Sequence, residues 1–111
     1  TFHTGALEDV VPDFGDGEFD VVYSVETLQH IHPDDEWVFK ELTRVTSDLL
    51  VTAENERNSP QRGGPGHDVS CVRDDFPLYY RDWKTVFSGL GLAQLVCEPG
   101  KRDTVRVFRV P

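Results

Sequence analysis

Hydrophobic positions along this chain fall into short blocks, and the period within the blocks switches between strand-like and helix-like. Phe19–Val25 (FDVVYSV) is mostly apolar and rich in β-branched and aromatic residues. Such a run predicts a strand buried on both faces, as in a parallel sheet. Asp13-Phe14-Gly15-Asp16-Gly17 ahead of it is turn chemistry, because Gly accepts positive φ and Asp bonds its own backbone. Beyond His32 the period changes. Val38, Leu42 and Val45 recur at i, i+4 and i+7 with Phe39 beside them, the apolar stripe of a helix. Pro33 suits the first helical position, and Asp34, Asp35 and Glu36 put negative charge at the positive end of the dipole. Glu36 and Lys40 stand at i, i+4 in the favourable orientation. The spacing predicts a helix over 33–46 that stops near Ser47-Asp48.

A second buried strand follows at 49–53 (LLVTA), which completes a βαβ unit with an expected right-handed crossover. The polar segment 54–78 then reads as a long loop, and loops of that length in a compact domain are usually functional. Tyr79, Trp83, Val86, Phe87 and Leu90 restore the helical period up to the Gly89-Leu90-Gly91 stop. Two last strands, 92–97 and 104–110, flank the Pro99-Gly100 turn and predict an antiparallel hairpin. The fold class expected is α/β, with a four-stranded, mainly parallel sheet ending in that hairpin.

Length and composition narrow the reading. At 111 residues the chain suits one domain, and 38% hydrophobic residues is enough for a core without a metal or disulfide staple. No repeat, membrane-length apolar run or secretory leader is visible, and the lack of any Met leads us to expect a processed or excised piece of something longer. Twenty acidic against eleven basic residues give a net charge of −9. That charge repels phosphate backbones and anionic lipid, so neither nucleic acid nor a membrane surface is expected as a partner. Twelve Asp and only three Lys also suit a protein of a salt-rich cytoplasm, where dense ions screen self-repulsion. An ordinary acidic protein is the plainer alternative. Cys71 and Cys97 show no metal or disulfide spacing, so reduced thiols in the cytoplasm are expected.

The ordered set of motifs then points to a family. Phe19-Asp20-Val21-Val22, Leu28-Gln29-His30-Ile31, Glu41-Leu42-Thr43-Arg44-Val45 and the Gly-Leu-Gly-Leu stop before a hairpin follow one another along nearly the whole chain. Together they resemble the C-terminal half of a class I S-adenosylmethionine-dependent methyltransferase. The resemblance implies a partial Rossmann-like sheet, a single domain over 1–111 that is the downstream portion of a larger one, and methyl transfer to a small-molecule acceptor. The family's glycine-rich strand–loop–helix and its ribose-binding acidic residue have no counterpart here. Gly63-Gly64-Pro65-Gly66 follows no strand and carries Pro in its middle. The resemblance therefore implies that S-adenosylmethionine binds only with the missing N-terminal half, and that the fragment alone is inactive.

Site residues follow in the same manner. Residues 4–9 align with the family loop bordering adenine, so Ala6 and Leu7 are cofactor candidates, although Ala6 stands where an acidic side chain is usual. The backbone of Ser24 and Val25, at the carboxyl end of the first strand, is placed to line the crevice where open α/β sheets bind ligands. His30 is the candidate base because histidine as a residue type exchanges protons near neutrality, with Glu26 facing the substrate. Packing for His30 and solvation for Glu26 are the competing readings. Arg57, Tyr79 and Tyr80 are candidate substrate contacts from the long loop. His30-Ile31-His32-Pro33-Asp34-Asp35 superficially matches the ligand run of metal-dependent hydrolases, but the acidic residues are better read as helix-start charge, and no metal is expected. Two alternatives stay open: a non-catalytic α/β interaction module and a metal-dependent hydrolase. A first strand without its neighbour leaves an open sheet edge, so self-association through that edge is expected.

Overall fold

The computed structural model describes residues 2–56 and 78–111. Four strands, β1 (Phe19–Val25), β2 (Thr46–Glu54), β3 (Ala93–Pro99) and β4 (Thr104–Arg109), form one sheet in the order β1-β2-β4-β3. Three helices accompany them: α1 (Leu7–Val10), α2 (Trp37–Val45) and α3 (Trp83–Gly89). The α/β class predicted from the sequence is the class observed. β1 pairs with β2 in parallel, whereas β4 lies antiparallel to both β2 and β3. Three of the four strands thus share one direction while two of the three ladders are antiparallel, because the hairpin returns its second strand, not its first, to the side of β2.

Several boundaries differ from the sequence reading, each for a local reason. The predicted helix over 33–46 is divided. Pro33–Asp35 forms a separate 3₁₀ turn, in which His32 Nδ1 accepts the Asp34 N–H at 3.0 Å, and α2 starts only at Trp37. No loop separates α2 from β2. Thr46 donates its hydroxyl to the Leu42 carbonyl and also pairs with Phe19 in the sheet, so Ser47 and Asp48 open a strand rather than close a helix. Glu36 binds the Arg81 guanidinium at 2.8 Å. α3 begins at Trp83, not at Tyr79, because Asp82 caps it: its Oδ1 accepts the N–H groups of Lys84 and Thr85 at 3.1 and 3.3 Å. Gly91, at φ 94°, lets the Leu92 N–H return to the Phe87 carbonyl and close the helix.

The core lies on one face of the sheet. Leu50 and Phe108 point toward Val38, Phe39, Leu42 and Val45 of α2 and Trp83 and Phe87 of α3, all buried in one cluster. Phe39 meets Trp83 edge-on with ring centroids 5.0 Å apart, and Phe87 meets Phe108 at 5.3 Å. Side chains alternate across a strand, so the same face of β2 that carries Leu50 carries Thr52 and Glu54, both buried. The opposite face is packed against no helix among the described residues and is more exposed. Register places Tyr23, Val51, Val107 and Val96 in one row and Val25, Ala53 and Val105 in the next. Tyr23 is 75% exposed there.

Candidate functional site

The carboxyl ends of β1 and β2 frame the candidate site. A crevice of about 360 Å³ runs along β1, lined by Leu7, Leu42 and Leu28 and by Val22, Ser24 and Val25. Leu7, Ser24 and Val25, predicted from separate stretches of the sequence, come together in it. Ala6 does not line it; its carbonyl accepts the N–H groups of Asp9 and Val10 and so starts α1. Gly5, at φ 153°, precedes that turn, and a Cβ there would come within 3.1 Å of Val10 Cγ2. Two larger hollows of about 560 and 690 Å³ lie around Phe2, His3 and Phe14 and hold none of the predicted site residues.

Beside the crevice sits Glu54, the last residue of β2, with no accessible surface. Its Oε2 accepts the Ser24 hydroxyl at 2.9 Å and its Oε1 accepts the Gln29 N–H at 2.9 Å. Burial pushes its carboxyl up to about 7, against the opposing pull of the N–H groups of Gln29, Thr27 and Leu28 and the Ser24 hydroxyl. The bonded turn is the 3₁₀ turn Leu28–His30. Gln29 is itself buried, and its Oε1 accepts the Asn55 N–H at 2.7 Å. Its Nε2 lies 3.4 Å from His30 Nε2. Ser24 and the His30 turn therefore meet on one carboxylate.

The far end of the same turn is held by Arg81. Its Nη2 donates to the Ile31 carbonyl at 2.8 Å and its Nη1 to the Leu28 carbonyl at 3.5 Å. The guanidinium is fully buried over the Phe39 ring, 5.1 Å from its centroid, and burial lowers its pKa while Glu36 raises it. Carboxylate at the N–H end and guanidinium at the C=O end match the dipole of the turn between them. A second buried acid, Glu56, takes a two-pronged bond from Arg106 at 2.9 and 3.0 Å.

The other predicted residues have separate fates. Glu26 sits at φ 47°, a left-handed conformation uncommon for a residue with a side chain, and its Oε1 lies 2.9 Å from Arg102 Nε in the β3–β4 turn. Asp103 beside it has its pKa raised by burial and by the Glu26 carboxylate. Tyr79 and Tyr80 are buried; Tyr79 donates its N–H to the Gln29 carbonyl at 2.7 Å and its ring meets His32. Arg57 and the rest of residues 57–77 lie outside the described residues, as does Cys71. Among the described residues no three His, Cys, Asp or Glu side chains converge as a metal shell. Glu54 and Arg81 were missed by the sequence reading. Period-two burial from Leu50 through Thr52 would have reached Glu54, whereas no local signal marks Arg81.

Comparison with known proteins follows the geometry. Residues 1–48 match a family described as a methyltransferase domain. None of the curated proteins is a match. Among solved structures, a Methanosarcina mazei protein described as a SAM-dependent methyltransferase superposes at TM-score 0.67, with 13% identity over 97% of this chain and 66% of its own. A Pyrococcus horikoshii protein reaches 0.65, with 19% identity over 99% of this chain and 59% of its own. A proposed DNA modification methylase from Thermus thermophilus, solved with S-adenosyl-L-methionine bound, reaches 0.55, with 19% identity over 98% of this chain and 54% of its own. The chain thus spans from about half to two thirds of these proteins' lengths.

Proposed function

Taking as premise that this chain is a fragment with the class I S-adenosylmethionine-dependent methyltransferase fold, we propose that the whole protein moves a methyl group from that cofactor to a small-molecule acceptor. Residues 1–111 would then be the downstream portion of its catalytic domain. The observation that carries this reading is the crevice at the carboxyl end of β1, where Leu7, Ser24 and Val25 converge. Its lining is mainly apolar with strand-edge backbone at hand, which suits a purine and the carbon face of a ribose. No residue of this chain supplies the glycine-rich turn, so cofactor affinity would depend on sequence upstream.

The cofactor supplies a methyl carbon already activated by the positive sulfur, so alignment lowers the barrier more than a strong base does. Within this chain Leu7, Ser24 and Val25 would bind the adenosine part. His30, on a turn held at both ends, would orient the acceptor and take its proton where the acceptor is a hydroxyl or amine. Glu26 would act through its tie to Arg102, narrowing the acceptor side of the site. Arg57, Tyr79 and Tyr80 would shape that side from the segment after β2. The net charge of −9 favours a small acceptor over a phosphate-rich polymer. No helix among the described residues is long and apolar enough to cross a membrane, and a cytoplasmic location fits the thiol usage. The bare β1 edge would pair with further chain or with a second copy.

A second reading, a non-catalytic α/β module, draws on the missing glycine-rich turn. Calorimetric titration with S-adenosylhomocysteine separates the two. Weak or no binding by this chain is expected, with binding at least a hundredfold tighter once the native sequence ahead of residue 1 is added. Equal failure of the longer protein would end the methyl-transfer reading.

A further inference from the structure

We propose that Glu54 is a positioning residue: with Arg81 it clamps the single turn that carries His30. The inference rests on the reading above only in placing His30 beside an acceptor; the clamp itself stands on contacts within this chain. Its geometry has three parts. Glu54 Oε1 accepts the Gln29 N–H and Oε2 the Ser24 hydroxyl, each at 2.9 Å, so one side chain ties β1 to the turn. Gln29 passes the constraint on, because its Oε1 accepts the Asn55 N–H at 2.7 Å while its Nε2 stands 3.4 Å from His30 Nε2. From the other end, Arg81 Nη2 holds the Ile31 carbonyl at 2.8 Å, and the Tyr79 N–H holds the Gln29 carbonyl at 2.7 Å.

Among the described residues the donors bonded to this carboxylate are neutral, which separates it from Glu56 two residues on. Glu56 has the charged partner Arg106, so its bonds keep it fixed. Glu54 has a hydroxyl and backbone N–H groups, and burial pushes its carboxyl up to about 7. Both oxygens accept from these donors, so removing the carboxylate leaves the Gln29 N–H without its partner.

Amide exchange and imidazole resonances of the labelled 111-residue chain test this directly, in wild type, in Glu54→Leu, which keeps no acceptor, and in Glu54→Gln, whose amide oxygen can still accept. Protection of the Gln29 amide should fall at least tenfold in Glu54→Leu and largely recover in Glu54→Gln, and the His30 ring signals should move in Glu54→Leu, while amides inside α2 keep their protection. Unchanged Gln29 protection and an unmoved His30 ring would overturn the proposal. Should Glu54→Leu not fold, Glu54→Asp decides, because its carboxylate is one methylene too short to reach both Ser24 and the Gln29 N–H. Gln29 protection equal to that of the wild type in Glu54→Asp would overturn the proposal. Neither readout involves the cofactor, so failed binding of S-adenosylhomocysteine would strike the methyl-transfer reading and leave the clamp standing.

Discussion

The two faces of this sheet are built from interleaved residues of the same strands, yet they live in different physical worlds. On β2, Leu50, Thr52 and Glu54 of the covered face are inaccessible, while Leu49, Val51 and Ala53 between them are only half covered. On β1 the contrast is sharper, since Val21, Tyr23 and Val25 of the bare face are 51%, 75% and 56% exposed. Hydrophobic residues therefore occur on both faces, but on the covered one they remove much more apolar area from water. Hydrophobicity in a sequence reports where burial is available, and the helices decide where it is realised.

Breaking the covered face should cost most. Phe87 is inaccessible and touches Trp83, Phe39 and Phe108. Phe87→Ala should lower stability by about 3–5 kcal/mol through lost transfer energy and an unfilled cavity. Urea unfolding followed by fluorescence measures it; a loss below about 1 kcal/mol would mean that α3 does not seal this face.

This face also shows how far the sequence could be read. The β1 run and the β3–β4 hairpin were legible because period and turn residues are local properties. The joint between α2 and β2 was not, because Thr46 belongs to both elements and only its pairing with Phe19 settles the matter. Leu7, Ser24 and Val25 are candidates by resemblance to a family, and tertiary structure brings them to one crevice. Glu54 was read as the first residue of a loop, since a carboxylate after LLVTA looks like the end of a strand's apolar run. Its burial depends on donors from residues 24 and 29, which no window around position 54 contains.

The polar end of the covered face gives the next effect. Folding raises the Glu54 carboxyl to about 7 from its ordinary value of 4.5, so between those values the native chain holds a proton that the unfolded chain has released. Native binding of the extra proton means that stability falls as pH rises through that window and levels off above it. The contribution should be about 3 kcal/mol at most, at 1.36 kcal/mol for each unit of displacement. Comparing the wild type with Glu54→Gln from pH 4.5 to 8 isolates it. A difference between the two that stays flat with pH would show that Glu54 keeps an ordinary carboxyl.

A smaller loss comes from the seat of α3. Asp82 supplies the acceptor for two otherwise unpaired N–H groups and also binds the Thr85 hydroxyl at 2.9 Å. Asp82→Ala should cost about 1 kcal/mol in the same unfolding assay, and Asp82→Asn should recover most of it, since the amide oxygen can still accept. Loss in both variants alike would point to charge rather than capping.

The bare face should respond least in stability and most in association. Tyr23 keeps three quarters of its surface in water when folded, so Tyr23→Ser removes little burial and should shift stability by about 0.5 kcal/mol or less. The same substitution interrupts an apolar row that continues through Val51, Val107 and Val96 and lies beside the outer edge of β1, which pairs with no other described strand. An open edge next to apolar surface invites a second chain to add to it. Sedimentation velocity on the 111-residue chain should show a mass that grows with concentration, and Tyr23→Ser combined with Val25→Ser should suppress that growth while unfolding stays nearly unchanged. If the wild type sediments as a monomer throughout, the two faces differ in exposure without differing in their tendency to associate.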